Sequence, residues 1–148
     1  AIRIDQTGAS MTNQVLLSIV GSQTAEGESD SIELVTVANY YKRNGHHYIL
    51  YEEIPEENQV VKNTLKFDAD FFEMNKKGAV NSQMLFRPDQ DTVTYYNTPA
   101  GPMTVGVTTT EYTLVEEETY IEVHIRYTLE INYRYSSENE ILLRVAPQ

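Results

Sequence analysis

The residues best suited to chemistry in this chain sit in Tyr51-Glu52-Glu53, where two acids end the apolar run Tyr48-Ile49-Leu50-Tyr51. Successive side chains of an extended segment alternate faces, so one of the two acids must share the face of Tyr51. A carboxylate turned into an apolar interior needs a charged partner or carries a raised pKa. Arg126, Arg134 and Lys66 are cations able to supply that charge, and the sequence does not choose among them. The plainer reading is a pair at a rim, one acid solvated and the other bonded to a neighbouring strand. An enzyme built here would use Glu52 or Glu53 with Arg126 or a tyrosine.

The other candidates are weaker. His46 and His47 are adjacent, so in a strand their rings point to opposite faces and do not share a metal, while His124 falls on a polar face. No His-Xaa-His spacing is present, and the three histidines read as two hairpin-edge residues and one solvated side chain. Asp68-Xaa-Asp70 and Asp89-Xaa-Asp91 lack the glycine and distal glutamate of a calcium loop, and read as turn caps. Tyrosine is abundant, 11 residues against no tryptophan, with close pairs at Tyr40-Tyr41, Tyr95-Tyr96 and Tyr133 with Tyr135. These rings line a ligand cavity or serve as ordinary half-buried strand packing, the commoner use. The candidate ligand contacts are Tyr51, Glu53, Tyr96 and Arg126. There is no glycine-rich phosphate loop and no nucleophile elbow, and neither a metal nor a cofactor is expected.

Composition narrows the setting. The 148 residues carry 11 Lys+Arg against 22 Asp+Glu, a net charge of −11, which repels nucleic acid and anionic membranes. The absence of cysteine excludes disulfides, thiolate metal sites and thiol catalysis. No apolar run approaches the roughly 20 residues of a membrane-spanning helix. A cytoplasmic protein is the expectation. Residues 1–10 read as a polar leader, flexible or foreign to the native chain, which would then begin at Met11; residues 11–148 read as one domain.

The elements that must position these residues are strands. Over 121–135 the odd positions are Ile121, Val123, Ile125, Tyr127, Leu129, Ile131, Tyr133 and Tyr135, with polar residues between them. This two-residue period places every apolar side chain on one face of a strand and would scatter them around a helix. Over 103–115 the apolar positions change from odd (Met103, Val105, Val107) to even (Tyr112, Leu114), which requires a β-bulge near Thr108–Glu111. Asn44-Gly45 between two apolar runs predicts a tight hairpin. Other turns are expected at Pro55–Asn58, Lys77-Gly78, Pro88–Asp91, Pro99–Pro102 and Ser136–Asn139. About ten strands result: 14–22, 31–43, 46–54, 60–68, 70–75, 79–87, 92–97, 103–114, 119–135 and 139–146. Short connections favour antiparallel neighbours, and so many strands must close to protect their edges. The fold class is therefore all-β, a single antiparallel up-and-down barrel of about 8–10 strands.

Several blocks in a fixed order carry a family likeness. They are Val15–Gln23, Tyr48–Glu53, Asn63–Phe67, Met84–Phe86, Tyr96–Met103, Ile125–Leu129 and Asn139–Leu143. In this order they resemble the YwiB-like family of small bacterial proteins, a domain of unknown function. The resemblance covers nearly everything from Met11 onward. It implies a lipocalin-like or calycin-like closed barrel and no established activity; the early Gly-Xaa-Trp of secreted lipocalins is missing. The expected function is a non-enzymatic structural or interaction module, self-associating as a homodimer. The alternatives are a barrel holding a small apolar or amphipathic ligand, and an enzyme using Glu52 or Glu53 with Arg126.

Overall fold

The computed structural model describes residues 13–78 and 81–148. The reading of 1–10 as a leader falls outside them. Ten strands occupy most of the described chain: β1 Asn13–Ala25, β2 Glu28–Arg43, β3 His46–Glu56, β4 Gln59–Phe67, β5 Phe72–Lys77, β6 Ser82–Phe86, β7 Thr92–Thr98, β8 Gly101–Glu116, β9 Ile121–Ile131 and β10 Arg134–Pro147. Among the described residues there is no helix, and so none long and apolar enough to cross a membrane.

All ten strands form one antiparallel sheet in the order β6-β5-β4-β3-β2-β1-β10-β9-β8-β7. The chain is a meander cut once and rejoined. Its first and last strands are zipped together from Val15↔Pro147 to Thr24↔Glu138, and β6 and β7 lie at the two ends of the order. At that seam side chains replace the ladder: Thr92 Oγ1 donates to the Leu85 carbonyl at 2.6 Å and the Tyr96 hydroxyl to the Gln83 carbonyl at 2.6 Å. The barrel is thus nearly closed, and side chains serve its exposed backbone edge.

Turn chemistry explains the hairpins. Asn44 and Gly45 have φ of 52° and 79°, the doubly positive pair of a type I′ turn, as the dipeptide predicts. Glu26 and Gly27, at 52° and 80°, make a second such turn that the composition had not marked. The register of β8 on β9 shifts between Thr109 and Glu111, inside the interval where the phase change required a bulge.

One expectation is corrected. The rhythm over 121–135 does not belong to one long strand. Asn132 and Tyr133, at φ 51° and 66°, reverse the chain, and the turn expected at Ser136–Asn139 lies inside β10. The two-residue turn moves odd positions to the outer face, and a register shift between Tyr135 and Ser137 moves them back. Tyr133 and Tyr135 are therefore 74% and 62% exposed, not part of the inner face.

The two ends of the barrel differ. The lower end carries the turns 43–46, 67–72 and 116–121. Its interior is crossed by neighbouring rings: His47–Phe67 at 5.0 Å, Phe67–Phe72 at 5.0 Å, Phe72–Phe86 at 6.2 Å and Phe86–Tyr127 at 4.7 Å between centroids. His47↔Phe67, Phe67↔Phe72 and Phe72↔Phe86 are directly paired across β3, β4, β5 and β6, so one row of the sheet lays these rings side by side. Each fully buried phenylalanine contributes about 1.5–3 kcal/mol. Toward the upper end the inward positions turn polar, with Asn63, Thr109, Ser137 and Asn139 buried there.

Candidate functional site

Alternation along β3 sends His47, Ile49, Tyr51 and Glu53 inward and Leu50 and Glu52 outward. Cross-strand pairing of Tyr51 with Asn63 and of Asn63 with Lys76 then sets three polar side chains in one inward row near the upper mouth. Glu53 Oε1 closes the group: it accepts from Asn63 Nδ2 at 2.9 Å and pairs with Lys76 Nζ at 3.3 Å. Burial, aided by the nearby Glu53 charge, holds the Tyr51 hydroxyl well above its ordinary pKa, so it stays protonated. Asn63 is only 2% exposed, and its Oδ1 has no hydrogen-bond partner.

The acid on the Tyr51 face is thus Glu53, and its ion partner is Lys76 rather than Arg126, Arg134 or Lys66. Arg126 alternates to the outer wall, where it meets Glu140 at 3.0 Å and Glu111 at 3.5 Å. Lys66 also lies outside, 5.7 Å from the centroid of the Tyr48 ring, and Arg134 is exposed at the start of β10. Tyr96 faces inward on the far side of the seam, with its hydroxyl committed to the Gln83 backbone. Of the four candidates, the structure places Tyr51 and Glu53 on one wall, Tyr96 across the seam from them and Arg126 outside the barrel.

The histidines differ from their expected roles. His47 is fully buried between the Tyr40 hydroxyl, 2.8 Å from Nδ1, and Glu116 Oε1, 2.6 Å from Nε2. Burial lowers the His47 pKa although Glu116 opposes it, so the ring is neutral at pH 7. The consistent assignment has Nε2–H donating to Glu116 and Nδ1 accepting from Tyr40. This hydroxyl–imidazole–carboxylate relay has the connectivity of a nucleophile triad. However, Tyr40 is 0% exposed, and the relay meets solvent at its carboxylate end, where Glu116 is 38% exposed. Its chemistry is that of a core lock tying β2, β3 and β8. The alternation that places Ile49 and Tyr51 inside also places His47 there; Glu116 is 69 residues away and carries no such signal.

His124 is half-buried rather than solvated, with Nε2 2.7 Å from Glu140 and Nδ1 3.6 Å from Glu111. The His124 hydrogen bond, with Arg126 behind it, holds Glu140 below the usual carboxylate range. Asp68 accepts from the Asp70 backbone N–H at 2.7 Å and Asp89 pairs with Arg87, both within turns. Among the described residues no three histidine, aspartate or glutamate side chains are placed to hold a metal ion.

The wall is concave in several places. One groove of about 590 Å³ crosses the outside of β1, β8, β9 and β10 and includes Val20, His124 and Leu142. A smaller window of about 340 Å³ opens at the upper end of the seam, where Lys76 reaches the rim beside Ser82 and Tyr96.

Comparison with known proteins agrees with this architecture. A crystal structure of the ywiB protein from Bacillus subtilis superposes with a TM-score of 0.79 at 18% identity, over 97% of this chain and 98% of that one, a likeness of fold. No curated protein matches the sequence. The model of the DUF1934 family, described as a domain of unknown function, matches residues 17–143, and the chain belongs to that family.

Proposed function

We propose that this chain is a non-enzymatic interaction module, a calycin-like barrel packed solid at its lower end that works in the cytoplasm by associating with a second copy of itself. The observation that carries the reading is the row of rings from His47 to Tyr127, which fills the space a hollow carrier would keep for a guest. The Tyr40–His47–Glu116 relay, which has catalytic connectivity, has its hydroxyl sealed in the core.

The associating surface is the outer wall where the chain's first and last strands meet. Leu16 pairs with Val37, Val20 with Leu142 and Ser18 with Val35, so the exposed Val35, Val37, Leu16 and Leu142 and half-buried Val20 share one outer face around Ser18. Contiguous apolar surface of this kind marks an interaction site more often than single exposed residues do. Glu33 flanks the band on β2 and Arg144 on β10. A twofold axis parallel to the strands lays β2 of one copy over β10 of the other, band on band, with each Glu33 turned toward the partner's Arg144. Sedimentation velocity tests this reading. A dimer is expected, tightened by added salt because each copy carries −11. Leu16→Glu should give a folded monomer. A wild-type monomer at high concentration would remove self-association, and copurified small molecules held in the barrel centre would remove the packed module itself.

A further inference from the structure

A third groove, of about 590 Å³, crosses the outer wall from β1 to β5. Its length follows one cross-strand row, Gln14↔Asn39↔Leu50↔Thr64. In the next row Glu52 pairs with Lys62 and Lys62 with Lys77, all turned outward because Glu53, Asn63 and Lys76 alternate inward. The chain carries 22 acids against 11 cations, yet four of its five lysines stand on β4 and β5. Two of these are engaged: Lys76 pairs with Glu53, and Lys66 lies over the Tyr48 ring. Among the described residues neither Lys62 nor Lys77 forms an ion pair. Directly opposed residues have Cα atoms about 4.5–5.5 Å apart, so the two ammonium groups repel each other across the ladder. Both side chains are exposed, so burial does not offset that repulsion, whereas an anion seated between them does.

The nature of the anion follows from its neighbours. Two compact ammonium charges are matched by a dianion, and a phosphate monoester carries about −1.5 to −2 charges at pH 7 where one carboxylate carries a single charge. Glu52, in the same row, accepts only, so it repels a second anionic group and suits a hydroxyl. Thr64, Asn39 and Gln14 continue the groove with groups that both donate and accept. One phosphate followed by several hydroxyls describes a phosphorylated polyol, and the volume lies within the range of about 300–1,000 Å³ of small-molecule sites. We propose that this outer groove binds a small phosphorylated polyol, its phosphate between Lys62 and Lys77 and its hydroxyls on Glu52, Thr64 and Asn39. A free sugar phosphate and the ribose phosphate of a nucleotide share that chemistry. The site stands apart from self-association, because β4 and β5 lie two and three strands from β2 in the sheet.

The test is an NMR titration of the full chain with glucose 6-phosphate and adenosine monophosphate, with D-glucose and inorganic phosphate as comparators. At least one of the two esters should give saturable shifts at the backbone amides of Lys62, Thr64 and Lys77. The tighter ester tells a free sugar phosphate from a nucleotide, and either supports the site. Lys62→Met and Lys77→Met keep the side-chain stems and relieve the like-charge contact, so both should fold, and each should weaken binding at least about tenfold, the loss of one charged hydrogen bond. Lys66→Met, on the same face of β4 but outside the groove, should bind like the wild type. The proposal is overturned if neither ester gives saturable shifts, if both groove variants bind like the wild type, or if Lys66→Met weakens binding as much as they do. It is also overturned if inorganic phosphate or glucose binds as tightly as the esters, since the groove would then read only one half of such a molecule.

Discussion

The Tyr40–His47–Glu116 lock shows what a single buried titratable group costs and contributes. His47→Ala leaves a cavity and strips the Tyr40 hydroxyl of its acceptor, so urea unfolding should show a loss of about 2–5 kcal/mol. The lock also sets a pH dependence. Because burial depresses the folded-state pKa of His47, the unfolded chain binds the proton more readily as pH falls below about 6.5. Its contribution is whole above that value and is lost as pH falls through the folded pKa. The wild-type minus His47→Gln stability difference should therefore shrink between pH 7 and 5, and a flat difference would refute the assignment. Tyrosines give the opposite limb. Burial pushes the Tyr127 hydroxyl up to about 12, and raises Tyr40, Tyr51 and Tyr112 as well. Stability held by these groups is present below pH 10 and lost above it, as the unfolded chain ionises first. An ultraviolet titration should show Tyr40, Tyr51, Tyr112 and Tyr127 ionising only with unfolding. At this scale the sequence made Glu53 legible as the acid beside Tyr51, but not Lys76. Period-two alternation assigns a face, whereas the register that pairs strands is set by turns and bulges.

Element boundaries were legible wherever turn chemistry and hydrophobic rhythm agreed. Asn44-Gly45 states its own geometry, and the odd-to-even change after Val107 fixes a bulge that the structure places between Thr109 and Glu111. They were illegible at Asn132-Tyr133 because two irregularities cancel. The turn shifts the phase by one, the bulge before Ser137 shifts it back, and two tyrosines bridge the interval with apolar side chains at odd positions. Tyr133 itself is poorly suited to its backbone. A non-glycine residue in the left-handed region is strained by roughly 1–2 kcal/mol, and its exposed ring gives little packing in return. Tyr133→Gly completes an Asn-Gly type I′ turn and should raise stability by about 0.5–1 kcal/mol in a denaturant titration. A destabilised variant would mean that the ring makes a contact worth more than the strain.

For the whole molecule, the question is which pairing closes the barrel. Ladder hydrogen bonds run through every sequence-adjacent strand pair except β6 and β7, while β1 and β10, the pair farthest apart in sequence, are fully zipped. The order is therefore a plain meander starting at β7, and the natural chain cuts it in the middle of the sheet. The sequence announced ten strands and the need to close them, since exposed edges are a hazard. It could not announce where closure happens, because no residue pattern distinguishes a ladder from a seam held by the Thr92 and Tyr96 hydroxyls. A circular permutant tests the distinction. Val15 pairs with Pro147, so Gln148 and Asn13 lie at the same end of adjacent strands and a short glycine linker can join them. New ends placed within Pro88–Asp91 cut the only covalent link between β6 and β7. If the β1–β10 ladder closes the fold, the permutant keeps the wild-type circular dichroism. Every ladder in it then joins neighbouring strands, which lowers contact order, and stopped-flow refolding should be faster than for the parent chain. If instead the permutant is unfolded or refolds more slowly, the Pro88–Asp91 turn is what holds β6 against β7, and the side-chain seam is a consequence of closure rather than its cause.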